Sequence, residues 1–177
     1  MPRTALNATA IAALMLATAA APAQQPCLSP PEAESLAAVA LPEIMRQTGT
    51  VCAAQLAAAS PLRRRPNPLL QRYQAEADRA WPAARAAIVK LSNPTAEALL
   101  GSDYARPLLA SLVAPLIVGR INPRDCPTID RLVTLLEPLP PRNTAGVIVA
   151  ALRYAKRAQP GDRNPVAALP LCLAEAR

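Results

Sequence analysis

The 177-residue chain has no histidine, no phenylalanine, five glycines and 21 prolines, and a formal net charge of +7. The missing histidine removes Ser-His and Cys-His activation together with the commonest transition-metal ligand, and five scattered glycines are too few for a phosphate loop or a dinucleotide fingerprint. The positive charge is carried almost wholly by arginine, Lys90 and Lys156 being the only lysines, and the abundance of Ala, Arg and Pro reads as codon bias toward G and C, so charge alone names no partner.

The chain opens with Arg3, then an apolar run from Ala5 to Ala21 interrupted only by Asn and Thr, then Ala21-Pro22-Ala23 before Gln24-Gln25. This charge, core and small-residue order is that of a secretory signal, cleaved after Ala23. An uncleaved anchor is the alternative, but no positive cluster follows the run as a stop-transfer signal. Cys27 is preceded by Gln24-Gln25-Pro26, not by the Leu-small-small pattern of a lipid-modified cysteine. Residues 1–23 are therefore expected to be a signal peptide. Residues 24–177 form one domain without a transmembrane segment, periplasmic or secreted, and loss of Arg3 lowers the formal charge from +7 to +6.

Cys27, Cys52, Cys126 and Cys172 all lie beyond the signal, even in number and bound for an oxidising compartment, so two disulfides are the expectation. Four cysteines allow three pairings. The uncrossed one, Cys27 to Cys52 and Cys126 to Cys172, is favoured because each bridge then ties a terminal segment to a nearby helix. A tetrathiolate zinc site would need closely spaced cysteine pairs, and there are none.

In chain order, Ser29-Pro30-Pro31-Glu32 is a capping box opening a short helix to about Ala40. Pro42 restarts the chain and Gly49 suggests a break before Val51 to Ala58. The stretch 61–68, with Arg63-Arg64-Arg65 between prolines, reads as an exposed linker. From Leu69 a helical pattern runs through Tyr73, Ala77 and Trp81 to Leu91, with Pro82 expected to kink or split it. A short helix follows Asn93-Pro94 and stops at Gly101. Tyr104 to Val118 comes next, its uncharged run Pro107 to Val118 too short to span a bilayer and read as a fully buried helix. Ile129, Leu132, Val133 and Leu136 fall at i, i+3, i+4 and i+7 of another helix, which Pro138 and Pro140-Pro141 end. Arg142 or Asn143 starts the last, reaching Tyr154 or Ala158. These two helices, meeting at a polar corner, are expected to be buried and to organise the rest. Tyr73, Trp81 and Tyr154 are expected to be core anchors. No period-2 run is bounded by hairpin turns, so the fold class is all-α, an irregular bundle of about six to eight helices stapled by two disulfides.

Four candidate sites emerge. Asp130 and Glu137, seven apart and so on one helix side, are a candidate acidic pair for glycoside chemistry, set against the plainer reading of an ion-paired face. Arg142, Asn143 and Thr144 stand at a helix N-terminus that could take an anion or carboxylate, unless they merely cap it. Arg63, Arg64 and Arg65 could contact an anionic surface, or be a solvated loop. Ser102, in Gly101-Ser102-Asp103, lacks the flanking glycines of a nucleophile elbow and reads as a helix-start residue. No metal site and no cofactor is expected. Nucleic acid is an improbable partner for an exported chain with so few aromatic side chains.

The combination of Cys27, Leu41-Pro42-Glu43, Ala80-Trp81-Pro82, Asp125-Cys126-Pro127-Thr128-Ile129-Asp130-Arg131, the breaks at Pro138 and Pro140-Pro141, Arg142-Asn143-Thr144-Ala145-Gly146, and Leu171-Cys172 resembles small, exported, cysteine-paired helical proteins of alphaproteobacteria. The resemblance implies export and paired cysteines. It transfers no activity and no catalytic residue. The leading expectation is a non-enzymatic binding or interaction module of the cell envelope, its partner an envelope protein or anionic envelope component. The alternative is a carboxylate-dependent hydrolase of envelope polysaccharide.

Overall fold

The first helix, α1 (Pro30–Val51), is the element against which three of the later helices, the second, fourth and sixth, pack. The structure, a computed structural model, describes residues 26–92, 95–159 and 166–173, so the expected signal peptide lies outside the described residues. After α1 come α2 (Pro68–Leu91), α3 (Thr95–Leu100), α4 (Ala105–Val118), a 3-10 turn at Pro123–Asp125, α5 (Cys126–Leu136) and α6 (Pro141–Ala158). The fold is all-α with six α-helices among the described residues, at the lower end of the expected range. The one β feature there is an isolated parallel bridge between Leu28 and Leu171.

Local chemistry accounts for the helix starts. Glu32 reaches back to accept from the Ser29 N–H and hydroxyl, both at 2.8 Å, and Pro30 occupies the first helical position, where a missing N–H does no harm. Asn67 caps α2 by accepting from the Leu70 N–H at 3.0 Å, again with proline next. The prolines inside these two helices do not break them. Pro42 lies buried inside α1, which runs on past Ala40 to Val51, and Pro82 lies inside an unbroken α2. Each removes one donor and leaves one carbonyl unserved, and the packing of α1 on α2 along alanine-rich faces outweighs that local loss.

The two cores follow from this arrangement. One gathers Met45, Leu56, Leu62, Leu69 and Tyr73 around the Cys52 and Cys126 sulfurs, with Ile129 and Val133 of α5 packed against it. The other joins Leu28, Ala33, Ala87, Val149 and Leu171 where the chain ends meet. Ala38, Ala77 and Ala84 are also buried, so small side chains line much of the contact between helices.

The disulfides are Cys27–Cys172 and Cys52–Cys126, with Cα atoms 5.1 and 5.6 Å apart. The expected pairing of Cys27 with Cys52 and Cys126 with Cys172 is therefore wrong. Twenty-two helical residues separate the two ends of α1, and each end meets a different distant segment: Leu28 receives the Cys172 N–H at 2.9 Å, while Cys52 meets the start of α5. The bridges are nested, not sequential.

Three other expectations fail. The α5–α6 corner does not organise the molecule, since Leu132 and Leu135 face outward and only Cys126 of α5 is fully buried. Tyr154 is 74% exposed and anchors nothing, and Trp81 is half-buried, whereas Tyr73 is in the core. Most tellingly, α4 is not buried: its buried residues are Ala105, Ala114 and Val118, while Leu108, Leu112 and Leu116 are 58%, 60% and 69% exposed. The segment 61–68 is only partly the exposed linker expected, because Pro61 and Leu62 turn inward and Leu62 meets Gly49 of α1.

Candidate functional site

Asp130 of α5 and Glu137, the residue just past its end, are each taken up by the segment before α2. Asp130 accepts from the Ser60 hydroxyl, and Glu137 pairs with Arg64. Arg72 also donates to the Glu137 carbonyl at 2.8 Å. With the Cys52–Cys126 bridge these contacts moor α5 to the first core, which is the ion-paired arrangement and not a pair of carboxylates facing a shared cleft. Ser60, absent from the sequence reading, has no motif to mark it.

The α6 N-terminus offers little to an anion. Pro141 has no N–H, and the Asn143 and Thr144 N–H groups both donate to the Pro140 carbonyl, at 2.9 and 3.2 Å. Arg142 and Asn143 are exposed while Thr144 is buried with an unpartnered Oγ1, so the three do not converge. The arginine run is likewise dispersed. Arg63 donates to the Leu56 carbonyl at 2.6 Å, Arg64 is committed to Glu137, and Arg65 donates to the Arg64 carbonyl at 3.1 Å. Ser102 donates to the Leu99 carbonyl at 3.2 Å, as a helix-end hydroxyl does.

Two features were missed by sequence reasoning. The first is a groove of about 200 Å³ between α1, α2 and α4, lined by Pro42, Glu43, Arg46, Gln74, Arg106 and Ser111 among others. Its charges are already matched: Arg46 pairs with Glu43, and Arg106 with Asp78. The Arg46 guanidinium holds the Glu43 carboxyl below its ordinary value, helped by Gln47 and opposed by burial. The groove is smaller than sites that enclose organic ligands, and it holds no nucleophile paired with a base. At the far side of the α1–α2 pair, the Lys90 ammonium and the Ser29 N–H hold the Glu32 carboxyl down at about 2, from an ordinary 4.5. That pair, at 2.8 Å, links the start of α1 to the end of α2. Among the described residues no group of three or more Cys, Asp or Glu side chains is placed to hold a metal ion.

The second feature is the outward half of α4. At 100° per residue, Ala110, Ala114 and Val118 form one stripe, and Leu108, Leu112 and Leu116 another. The small stripe meets α1; the large one, with Val113 and Ile117 beside it, faces solvent. This inverts the usual amphipathic helix, whose large apolar residues face inward. The signal was legible in hindsight as the alternation of small and large aliphatic residues at a spacing of four. It was masked because a run without charges reads as buried on every side. Compared with family models, curated proteins and solved structures, the chain matches none of them.

Proposed function

We propose that this is an exported, disulfide-stapled helical binding module of the cell envelope, non-enzymatic, which docks through the outward face of α4. The observation that carries the reading is that face: Leu108, Leu112, Val113, Leu116 and Ile117 exposed together on the uncharged run of α4 that follows Arg106. Exposed apolar side chains scattered singly need no explanation, but five on one 14-residue helix are a contiguous patch of the kind that marks an interaction site. Two disulfides suit an oxidising compartment, and no helix among the described residues is long and apolar enough to cross a membrane. The hydrolase alternative loses its support, because Asp130 and Glu137 serve as moorings for α5.

The test is retention. The variant Leu108→Gln/Leu112→Gln/Leu116→Gln alters only outward side chains and should keep the wild-type melting temperature. It should be released into the soluble fraction when envelopes are washed, where the wild type stays bound. Equal retention of the two proteins would exclude α4 as the docking face, and release of reducing sugar ends from envelope polysaccharide would restore the hydrolase.

A further inference from the structure

Resting on the reading of α4 as a docking face, we infer that its partner is the surface of an anionic phospholipid bilayer, in which the helix lies parallel to the membrane plane. A helix of 14 residues is about 21 Å long, too short for the roughly 30 Å hydrocarbon core, so its apolar side can enter only the headgroup boundary. The outward arc is wholly aliphatic: Leu108, Leu112, Val113, Leu116 and Ile117 present no side-chain donor or acceptor. Protein partners are anchored by aromatic and arginine side chains at the buried centre of the contact with matched polar groups around them, and the centre of this arc carries neither, its Tyr104 and arginines lying only at the two ends. A bilayer requires no such anchor. Tyr104, 80% exposed at the N-terminal end of the helix, is the aromatic type that sits at headgroup depth.

Charge selects the lipid class. Past the C-terminal end of α4, Arg120 and Arg124 are exposed and form no ion pair among the described residues, with Asp125 the acidic neighbour there. At the other end Arg106 is already matched by Asp78. A second copy of the chain is itself net positive, at +7, and so opposes the basic end, whereas an anionic headgroup layer offers it a continuous attractive field.

Sedimentation of the purified, oxidised protein with vesicles decides the matter, using phosphatidylcholine alone and phosphatidylcholine with phosphatidylglycerol. Wild type is expected to bind the anionic vesicles and to be displaced at high salt. Leu112→Gln should weaken binding by about tenfold, and the triple glutamine variant should abolish it. Arg120→Gln/Arg124→Gln should lose several-fold in affinity and most of the salt dependence while the melting temperature stays put. Wild type that ignores both vesicles overturns the lipid assignment, as does tight binding to pure phosphatidylcholine that salt and the arginine changes leave untouched. If the wild type instead forms a dimer that Leu112→Gln dissolves, the occupant is a second copy; the lipid inference falls and the docking face stands. If Leu112→Gln matches wild type in vesicle binding, association state and envelope retention, both fall.

Discussion

Gly49 and Gly146 are both helical glycines, and the space around them gives the same substitution opposite signs. A Cβ on Gly49 would run into the Leu62 carbonyl oxygen, backbone that cannot swing aside, while a Cβ on Gly146 meets only the Glu34 side chain at an ordinary 3.7 Å. Replacing glycine by alanine within a helix is worth roughly 0.5–1 kcal/mol of stability where nothing intervenes. Gly146→Ala should therefore raise the melting temperature, and Gly49→Ala should lower it by the equivalent of about 1–3 kcal/mol, an overpacking loss that exceeds the propensity gain. A thermal melt of both variants checks this, and equal shifts would mean that the α1–Leu62 contact is not as close as described. Gly49 was legible as an exceptional position but misread as a break, because a glycine required for close approach and a glycine ending a helix look alike until the neighbour is known. Thr144 makes a second residue-scale case. Its hydroxyl is buried without a partner, so removing it relieves a desolvated polar group: Thr144→Val should be neutral or stabilising by up to about 1 kcal/mol in chemical denaturation. A clear loss would reveal a partner for that oxygen and reopen the α6 N-terminus as a site.

At the scale of the element, helix starts were the most legible feature and helix faces the least. The Ser29–Glu32 box and the prolines beside it are short-range chemistry written within four residues and appear where expected, whereas the Asn67 cap of α2 lies in the stretch read as a linker. The continuity of α1 through Pro42 and of α2 through Pro82 could not be read locally, since it depends on the mutual packing of those two helices. The orientation of α4 was out of reach for the same reason. Its uncharged run carries apolar residues all round, and only the partner α1, which accepts the small stripe, decides which side turns out. The α1–α2 pair also carries a pH dependence. Glu32 has its carboxyl lowered from 4.5 to about 2 in the folded protein, chiefly by Lys90, so its contribution is fully present above 4.5 and lost as the pH falls through about 2. The pair is partly open to solvent, so the loss is expected to be modest, roughly 0.5–1 kcal/mol, and smaller at high salt. Stability measured between about pH 5 and pH 2 should fall less steeply in Glu32→Gln than in wild type. Parallel curves would show that the carboxylate contributes nothing to holding the two helices together.

The molecule as a whole is a bundle of small side chains whose ends and middle are cross-linked, and the two bridges act on it differently. Cys27–Cys172 spans 145 residues and Cys52–Cys126 spans 74, so on chain entropy alone the outer bridge is the stronger, but a doubling of loop length is worth only about 0.6 kcal/mol. Packing points the other way and by more. Cys52 and Cys126 are completely buried within the first core, touching the cluster that holds Met45, Leu62 and Tyr73, whereas Cys27 and Cys172 are half-buried. Truncating two fully buried sulfurs leaves a cavity whose penalty is on the order of 1–2 kcal/mol or more, on top of the lost loop closure. It also leaves α5 held by the partly buried Ile129 and Val133 and by Ser60 with Asp130, Arg64 with Glu137 and Arg72 on the Glu137 carbonyl, polar contacts at or near the surface that are individually weak. The order of effect is thus set by burial and not by loop length. Cys52→Ala/Cys126→Ala should melt at a lower temperature than Cys27→Ala/Cys172→Ala, and α5 should become the segment of fastest amide exchange in the former, while in the latter the loss of protection should centre on Leu28 and Leu171. The reverse order of melting temperatures would mean that the first core survives without its sulfurs and that joining the chain ends is what keeps the bundle closed.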